Sequence, residues 1–385
     1  MPVKPLHISG KLSHVESSIF TLMSALAQKH QALNLSQGFP DFEVDPVLIE
    51  LVHQNMKAGH NQYAPMAGVP ELRQAIVDFT QDLYGAQYHP DKEITITAGA
   101  TQGIATAIAT TIREGDEVIL FSPAYDCYMP MIELNGGTPI TVKLEHPNYS
   151  IDWNQVKRVV NHRTKMIIIN TPHNPSGSVL TQDDLNALAE IVENSNILLL
   201  ADEVYEHIIF NGAQHLSIRS HEVLKQRAFV MGSLGKSLHV TGWKTGYCLA
   251  PEPLMKEFQK VHQYQVFCTN KPVQLALAEY LNTTDLRAIG GFYEQKQKVF
   301  EKALASTGFK ALPTYGSYFQ LADYSSVSTQ DDMTFAHELT VKHGVAAIPV
   351  SPFYRFPTDH KVLRFCFAKN EETLEKAGAL LAKLG

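Results

Sequence analysis

The sequence predicts an α/β protein: a large domain with a seven-stranded, mostly parallel sheet between helices, plus a smaller α/β domain. Two observations predict this organisation. From about residue 94, short apolar runs with almost no polar alternation are separated by amphipathic stretches, as expected of strands buried on both faces. The chain of 385 residues is also longer than one simple hydrophobic core usually holds.

Seven apolar runs are the predicted strands of the large sheet: Ile94–Thr97, Glu117–Phe121, Ile140–Leu144, Met166–Asn170, Ile197–Ala201, Phe229–Gly232 and Gly246–Ala250. Amphipathic stretches such as Gln102–Arg113 and Gln182–Glu193 lie between them. Alternation of strands and helices in this way favours a largely parallel sheet with helices on both faces.

The pattern changes after about residue 285. Helices and shorter strands then alternate: Asp285–Ser306, Tyr318–Leu321, Asp332–His343, Val362–Phe367 and Glu371–Leu384. The first 45 or so residues look irregular. We therefore predict a large domain of residues 46–284 and a small domain formed by residues 1–45 and 285–385.

The composition argues against nucleic acid or an anionic membrane as a partner. Thirty-two basic residues against 39 acidic ones give a formal net charge of −7, whereas both partners favour a basic surface. No apolar run reaches the roughly 18 residues of a membrane span, and residues 1–10 contain no apolar run of signal-peptide length. The four cysteines are scattered and the 17 histidines form no H-E-x-x-H motif. We predict a cytoplasmic protein with reduced thiols and no metal site.

Several predicted strands are followed by residues suited to an anionic, planar, nitrogen-containing cofactor. In open parallel sheets, ligands bind beyond the carboxyl ends of the strands. At those ends the sequence places an anion cradle, an aromatic ring, an amide, an acid and a lysine: Gly99–Thr101, Tyr125, Asn174, Asp202 and Lys236. The large domain is therefore the predicted cofactor-binding domain.

Gly99–Thr101 is the candidate phosphate site. The segment joins a strand to an apparent helix, where exposed backbone N–H groups and the helix dipole attract anions. Small residues also form ordinary tight turns, and that alternative stays open at this point.

Asp202 is the candidate partner of a ring nitrogen. At ~4 Å and an effective dielectric constant near 20, a carboxylate and a protonated ring attract by about 4 kcal/mol, or roughly three pK units. Such an attraction keeps a pyridine protonated at neutral pH. An aspartate at a strand end is also a common helix cap or turn former.

Lys236 is the candidate nucleophile. A buried strand and Gly235 precede it, and the cationic Lys244 follows eight residues later. Desolvation and a nearby cation lower a lysine pKa and favour reaction with a carbonyl. The Gly-Lys-Ser triplet does not form a P-loop, because Val230 stands where that motif requires glycine. A solvated surface lysine is the alternative.

Arg364 lies in an otherwise apolar predicted strand of the small domain. A buried arginine needs a partner, and a bidentate carboxylate is the best one. That carboxylate belongs either to a substrate or to an internal aspartate or glutamate.

Eight motifs extend these observations from about Asn34 to nearly the C-terminus: Ser36-Gln-Gly-Phe-Pro-Asp-Phe, Asn61-Gln-Tyr-Ala-Pro, Thr97-Ala-Gly-Ala-Thr-Gln, Asn170-Thr-Pro-His-Asn-Pro-Ser-Gly, Asp202-Glu-Val-Tyr-Glu, Ser233-Leu-Gly-Lys-Ser, Thr241-Gly-Trp-Lys-Thr-Gly-Tyr and Arg364-Phe-Cys-Phe-Ala. In their joint order and spacing they resemble the class I/II aminotransferases that use pyridoxal phosphate. The resemblance implies the fold-type I architecture and this cofactor.

The resemblance also implies roles at the cofactor ring. Lys236 would bind the cofactor covalently and move the substrate Cα proton. Asp202 would pair with the ring nitrogen, Asn174 and Tyr205 would donate hydrogen bonds to the ring oxygen, and Tyr125 would stack on the ring. Lys236, Asp202 and Tyr205 are thus the predicted catalytic residues.

Further residues are implied for the cofactor phosphate: Ala100, Thr101, Ser233 and Lys244, with Tyr63 from a second subunit. Borrowing Tyr63 across an interface implies a homodimer with shared active sites. Many members of the family carry arginine at the position of Lys244. Lysine supplies a point charge without the bidentate fork, so either the phosphate is bound more weakly or other donors compensate.

The implied substrate site combines one cation with an apolar wall. Arg364, Asn174 and the Gly38 backbone would bind the carboxylate. No second arginine is obviously placed for an acidic side chain, and five aromatic residues are the candidates for an apolar pocket: Phe39, Tyr63, Tyr125, Phe353 and Tyr354.

The wording of the motifs is most similar to methionine aminotransferases and to the kynurenine/glutamine transaminase branch. We predict ping-pong transfer of the amino group from methionine, or from an aromatic amino acid such as phenylalanine, to a 2-oxo acid. The alternative is a cysteine-conjugate or carbon–sulfur β-lyase on the same fold. A non-catalytic, cofactor-binding regulator is a remote alternative, because no basic helical domain is appended.

Overall fold

The computed structural model describes residues 17–384, together with residues 6, 10–13 and 15. The prediction about a signal peptide in residues 1–10 therefore lies largely outside the described residues. Among those that are described, no helix combines the length and the apolar composition that a membrane crossing requires.

The N-terminal segment begins with helix α1 (Ile19–His30) and the short strand β1 (Leu33–Asn34). The prediction that the first 45 or so residues are irregular was wrong. The Ser18 hydroxyl caps α1 by accepting a hydrogen bond from the Phe20 N–H. Three apolar residues recur at helical spacing on its buried face: Ile19, Met23 and Ala27. The cap and this spacing were the signals available in the sequence.

Seven strands form the large sheet: β2 (Ile94–Thr97), β3 (Glu117–Ser122), β4 (Thr138–Lys143), β5 (Thr164–Asn170), β6 (Leu198–Asp202), β7 (Ala228–Ser233) and β8 (Gly246–Leu249). Their spatial order is β2-β8-β7-β6-β5-β3-β4. Strand β8 runs antiparallel to both of its neighbours, and all other pairs are parallel. The predicted seven-stranded, mostly parallel sheet is confirmed.

Ten helices occur in this part of the chain: α2 (Pro46–Lys57), α3 (Pro70–Tyr84), α4 (Ala100–Thr111), α5 (Tyr128–Leu134), α6 (Trp153–Val159), α7 (Gln182–Val192), α8 (Glu222–Lys225), α9 (Leu234–Ser237), α10 (Glu252–Gln265) and α11 (Lys271–Leu281). Two of them begin directly where a strand of the large sheet ends. Helix α4 follows β2, and the single turn α9 follows β7.

The remaining elements are α12 (Ala288–Leu304), β9 (Lys310–Ala311), β10 (Phe319–Asp323), α13 (Asp332–His343), β11 (Val345–Ala346), β12 (Ile348–Pro349), β13 (Val362–Cys366) and α14 (Glu371–Leu381). Four of the strands form an antiparallel sheet in the order β12-β13-β10-β9. Strand β1 pairs with β11, and α1 packs on α13. These contacts support grouping the N-terminal segment with the C-terminal part, and the exact boundaries stay a prediction.

The register of the large sheet brings polar residues to one edge. Asn170 at the end of β5 lies beside Asp202 at the end of β6. Ser233 at the end of β7 lies beside Gly246 of β8. The carboxyl ends of β5, β6 and β7 thus meet at the place where the sequence predicts a ligand site.

A buried ion cluster lies directly behind this edge. Glu203 and Glu206 both accept hydrogen bonds from the Arg219 guanidinium, with 2.9 Å between Arg219 Nη2 and Glu203 Oε2. All three side chains are almost fully buried. Burial opposes the charged carboxylate, yet the charge of Arg219 and the donors around it lower the pKa of Glu206 to about 2. The cluster therefore holds two ionised carboxylates on one guanidinium.

We predict that Arg219→Met lowers the free energy of unfolding by about 3–5 kcal/mol, because it leaves two buried carboxylates without their cation. Arg287→Met is the matched control. Its ion pair with Asp82 is more than half exposed, and we expect a change below about 1 kcal/mol. Chemical denaturation of both variants measures the difference, and equal losses would contradict the prediction.

Candidate active site

A pocket of about 230 Å³ opens at the carboxyl edge of the large sheet. Most of the residues predicted for the site lie in its wall: Gly38, Ala100, Thr101, Tyr125, Asn174, Asp202, Tyr205, Ser233, Lys236, Lys244 and Arg364. Residues more than 300 positions apart in sequence thus meet in one place. The convergence predicted from the strand ends is present.

Four predicted aromatic residues are not part of the wall. Tyr63 is 81% exposed, and its ring lies edge-on to that of Phe267 at 5.3 Å. Phe39 is partly exposed, and its backbone oxygen accepts a 2.8 Å hydrogen bond from Lys369 Nζ. Phe353 and Tyr354 are buried in the core. Within one chain, the structure does not bring these residues into the pocket wall.

Lys236 is held by two oxygen atoms across the pocket. Its Nζ donates to Tyr318 Oη at 2.8 Å and to the Gly38 carbonyl oxygen at 3.3 Å. The Tyr318 hydroxyl donates in turn to the same carbonyl at 2.5 Å. Burial, with the charges of Arg364 and Lys244, lowers the pKa of Lys236 to about 8. This amine is therefore far closer to its neutral, nucleophilic form than an ordinary lysine.

Asp202 is a buried carboxylate that lacks an ion-pair partner in the described part of the chain. Its Oδ2 accepts a 2.6 Å hydrogen bond from Tyr128 Oη, and its Oδ1 accepts a 3.3 Å bond from the Val204 N–H. No ion pair to Asp202 occurs among the described residues, whereas the adjacent Glu203 pairs with Arg219. Burial raises the pKa of Asp202 to about 6 in spite of these donors.

The Arg364 guanidinium has only part of its hydrogen-bonding capacity used. Its Nη1 donates to Asn174 Oδ1 and its Nη2 to the Ser36 carbonyl oxygen, both at 2.9 Å. Its buried Nε has no hydrogen-bond partner in the part of the chain that the structure describes. The guanidinium carbon lies 3.9 Å from the centroid of the Phe319 ring. The internal salt bridge considered from the sequence does not form among the described residues. The guanidinium can therefore donate hydrogen bonds to an external carboxylate.

The N-terminus of α4 and the Lys244 ammonium form an anion cradle. Gly99 caps this helix at φ +75°, and a Cβ atom there would lie 3.2 Å from Lys244 Nζ. Glycine thus supplies both the left-handed backbone and the space for the lysine. First-turn N–H groups beside an ammonium attract a phosphate.

Four residues that contact the charged groups of the site were not among the predicted site residues. Phe20 and Phe319 line the pocket beside Arg364. Tyr318 holds Lys236, and Tyr128 holds Asp202. Tyr128 lies three residues after Tyr125, at helical spacing, which was the one local signal. Placing the other three requires the pairing of β10 with β13 and the position of α1.

The donors and charges of this pocket fit pyridoxal phosphate. They comprise an amine of lowered pKa for an aldehyde, a buried carboxylate lacking a cation for a ring nitrogen, and an anion cradle for a phosphate. A family model described as aminotransferase class I and II matches residues 30–380.

The chain belongs to this family.

Comparisons with individual relatives agree. Methionine aminotransferase of Escherichia coli (strain K12) is 47% identical over 386 residues, which cover 100% of both chains. Kynurenine–oxoglutarate transaminase 1 of Homo sapiens is 32% identical over 395 residues, which cover 93% of both. A solved Escherichia coli structure, described as identifying a methionine aminotransferase function, matches with a TM-score of 0.96 at 47% identity and covers 99% of this chain and 100% of that chain.

The predicted fold type, cofactor and enzyme class are therefore confirmed. Members of the class I and II aminotransferases use pyridoxal phosphate and act on amino acids and oxo acids, and this chain is one of them. The roles of its individual residues stay proposals.

For this aminotransferase we predict that covalent capture of pyridoxal phosphate by the apoprotein rises with pH, has its midpoint near pH 8 and levels off above about pH 9. The neutral amine reacts, and a pKa of about 8 leaves roughly 10% of Lys236 neutral at pH 7, against less than about 0.1% for an ordinary lysine. Borohydride trapping and peptide mass spectrometry measure the adduct. Lys236→Ala should show none at this position, and capture still rising near pH 10 would contradict the prediction.

Proposed function

We propose that this protein transfers the amino group of a neutral amino acid, methionine foremost and also aromatic amino acids such as phenylalanine, to a 2-oxo acid in two ping-pong half-reactions. The observation that carries the proposal is the setting of Arg364. Its guanidinium carbon lies 3.9–5.7 Å from the centroids of three phenylalanine rings: Phe20, Phe319 and Phe353. A carboxylate receptor in an aromatic setting suits an amino acid with an apolar side chain.

Charge supports the same substrate class. The pocket wall in the described part of the chain contains no arginine besides Arg364, so no guanidinium there is placed for a side-chain carboxylate. The full-length similarity to a methionine aminotransferase of Escherichia coli also supports methionine as the donor.

The cofactor would be held at both of its ends. For the phosphate we propose Ala100, Thr101, Ser233 and Lys244, together with Tyr63 of a second subunit. For the ring we propose Tyr125, Asn174, Asp202 and Tyr205. When bound, pyridoxal phosphate supplies an aldehyde that takes up the amino group and a cationic ring that accepts electrons from the substrate Cα.

The protein's own side chains bind, orient and move protons. Arg364 and Asn174 hold the substrate carboxylate, which fixes the Cα–H bond in one direction. The Lys236 amine removes the Cα proton and later delivers it at the cofactor carbon. The Asp202 carboxylate holds the proton at the ring nitrogen.

A donor screen tests the proposal. We expect methionine and phenylalanine to give half-reaction kcat/KM values at least about tenfold above those of aspartate and glutamate, because the described wall offers no second guanidinium to a side-chain carboxylate. The half-reactions are followed by cofactor absorbance, with the 2-oxo acid products identified. Arg364→Ala is the control and should raise KM for every donor by about tenfold or more.

Two results of this screen would contradict the proposal. A preference for aspartate would require a second guanidinium, which the described wall lacks. Pyruvate and ammonia released from a cysteine conjugate faster than oxo-acid exchange would assign the protein to the β-lyases instead.

We further propose a homodimer in which each active site takes Tyr63 from the other subunit. Tyr63 and Tyr264 are more than 80% exposed in the single chain, and Phe267 beside Tyr63 is also exposed. An aromatic surface of this kind is typical of an interface.

Mixing Tyr63→Phe subunits with Lys236→Ala subunits tests this arrangement. If Tyr63 acts across the interface, each mixed dimer contains one site with both residues intact, and activity at limiting cofactor recovers above that of either variant alone. Unmixed variants are the control. No recovery on mixing, with dimers formed, would place Tyr63 in its own chain's site.

A further inference from the structure

Asp202 accepts a hydrogen bond from Tyr128, a residue outside the wall of the main pocket. We infer that Tyr128 is a positioning residue, which keeps the Asp202 carboxylate ionised and aimed at the cofactor ring nitrogen. The inference rests on the role proposed above for Asp202. It adds a residue for which nothing in the motifs assigns a function.

The contact is short, direct and buried. Tyr128 Oη lies 2.6 Å from Asp202 Oδ2, and both side chains are 3% exposed. A hydroxyl donating to a carboxylate at this distance forms a charge-assisted bond, which is about twice as strong as a bond between neutral groups. The other bond to this carboxylate, from the Val204 N–H, is longer at 3.3 Å. Tyr128 is thus the dominant donor to Asp202.

Tyr128 reaches Asp202 from a separate cavity. Asp202 lines the main pocket, whereas Tyr128 lines a second cavity behind it, together with Tyr149 and Leu180. Tyr128 is absent from the wall of the main pocket. It therefore acts on the cofactor through Asp202, without touching cofactor or substrate.

The charge environment explains why Asp202 needs this donor. Glu203 and Glu206 have Arg219 behind them, and Asp202 has no corresponding cation among the described residues. The titratable groups that face it are Tyr128, Lys236, Glu203, Tyr125, Cys127 and Tyr205. Burial raises the pKa of Asp202 to about 6, and the Tyr128 hydrogen bond opposes that rise. Removing the hydroxyl would therefore raise the pKa of Asp202 further. Once protonated, the neutral acid no longer stabilises a ring cation.

Tyr128→Phe in the cofactor-loaded, full-length protein tests the inference. We expect kcat for methionine to fall about tenfold with KM within about twofold, and the acid limb of the kcat profile to move up by about one pH unit. Cofactor retention should weaken by a similar factor. The pH titration of the bound cofactor's visible absorbance should shift as well, a readout independent of turnover.

Tyr149→Phe is the matched control, because it removes a buried hydroxyl from the same cavity without contacting Asp202. It should move neither the pH profile nor the absorbance titration. Thermal unfolding of both variants separates a loss of folding from a loss of positioning. Equal effects of the two substitutions on the pH profile and the absorbance titration would overturn the inference.

A double-mutant cycle with Asp202→Asn supplies the second measurement. If Tyr128 acts through the Asp202 charge, Tyr128→Phe should add less than about twofold to the loss of kcat and cofactor affinity in the Asp202→Asn background. Full additivity would overturn the inference and leave the role of Asp202 intact. An Asp202→Asn enzyme within about twofold of wild type would instead remove the proposed role of Asp202, and the role of Tyr128 with it.

Discussion

An ionised carboxylate buried without a cation is costly, because water no longer solvates it and nothing else neutralises it. Asp202 occupies that position at the end of β6, held by hydrogen bonds from Tyr128 and Val204. Those bonds give each carboxylate oxygen one donor but leave its charge unbalanced. The arrangement is complementary to a cationic ring, which would supply the missing positive charge.

The opposite imbalance occurs elsewhere in the same pocket. Lys236, Lys244 and Arg364 line it, and none forms an ion pair within the described chain. Three unpaired cations and one unpaired carboxylate match a ligand set containing a phosphate, a carboxylate and a protonated ring. The buried cluster of Glu203, Glu206 and Arg219 shows the contrast, because its charges are paired internally and offer nothing to a ligand. Within one motif, Glu203 and Glu206 are paired internally, whereas the adjacent Asp202 is left unpaired among the described residues.

The large sheet could be predicted because its strands are local apolar runs, and Asp202 and Lys236 could be placed because each follows such a run. That Asp202 forms no ion pair among the described residues could not be predicted, because it depends on where Tyr128 and Arg219 pack. Phe319 reaches the pocket, and Tyr318 beside it reaches Lys236, because β10 pairs antiparallel with β13, a register that no short motif encodes. Phe20 was missed because α1 was read as irregular. Tyr63 is the opposite case. Its motif indicates a cofactor contact, yet Tyr63 lies outside the pocket wall of its own chain.

The proposed carboxylate-binding residue, Arg364, and the proposed catalytic amine, Lys236, are linked through one short segment. Arg364 donates to the Ser36 carbonyl, and Lys236 donates to the Gly38 carbonyl two residues later. A Cβ atom on Gly38 would lie 2.8 Å from the Phe319 ring, the same ring that packs on the Arg364 guanidinium. The Phe319 ring therefore lies against both the guanidinium and the Gly38 backbone that accepts from the amine. Residues 36–38 thus contact both Arg364, the proposed carboxylate receptor, and Lys236, the proposed proton-transfer group.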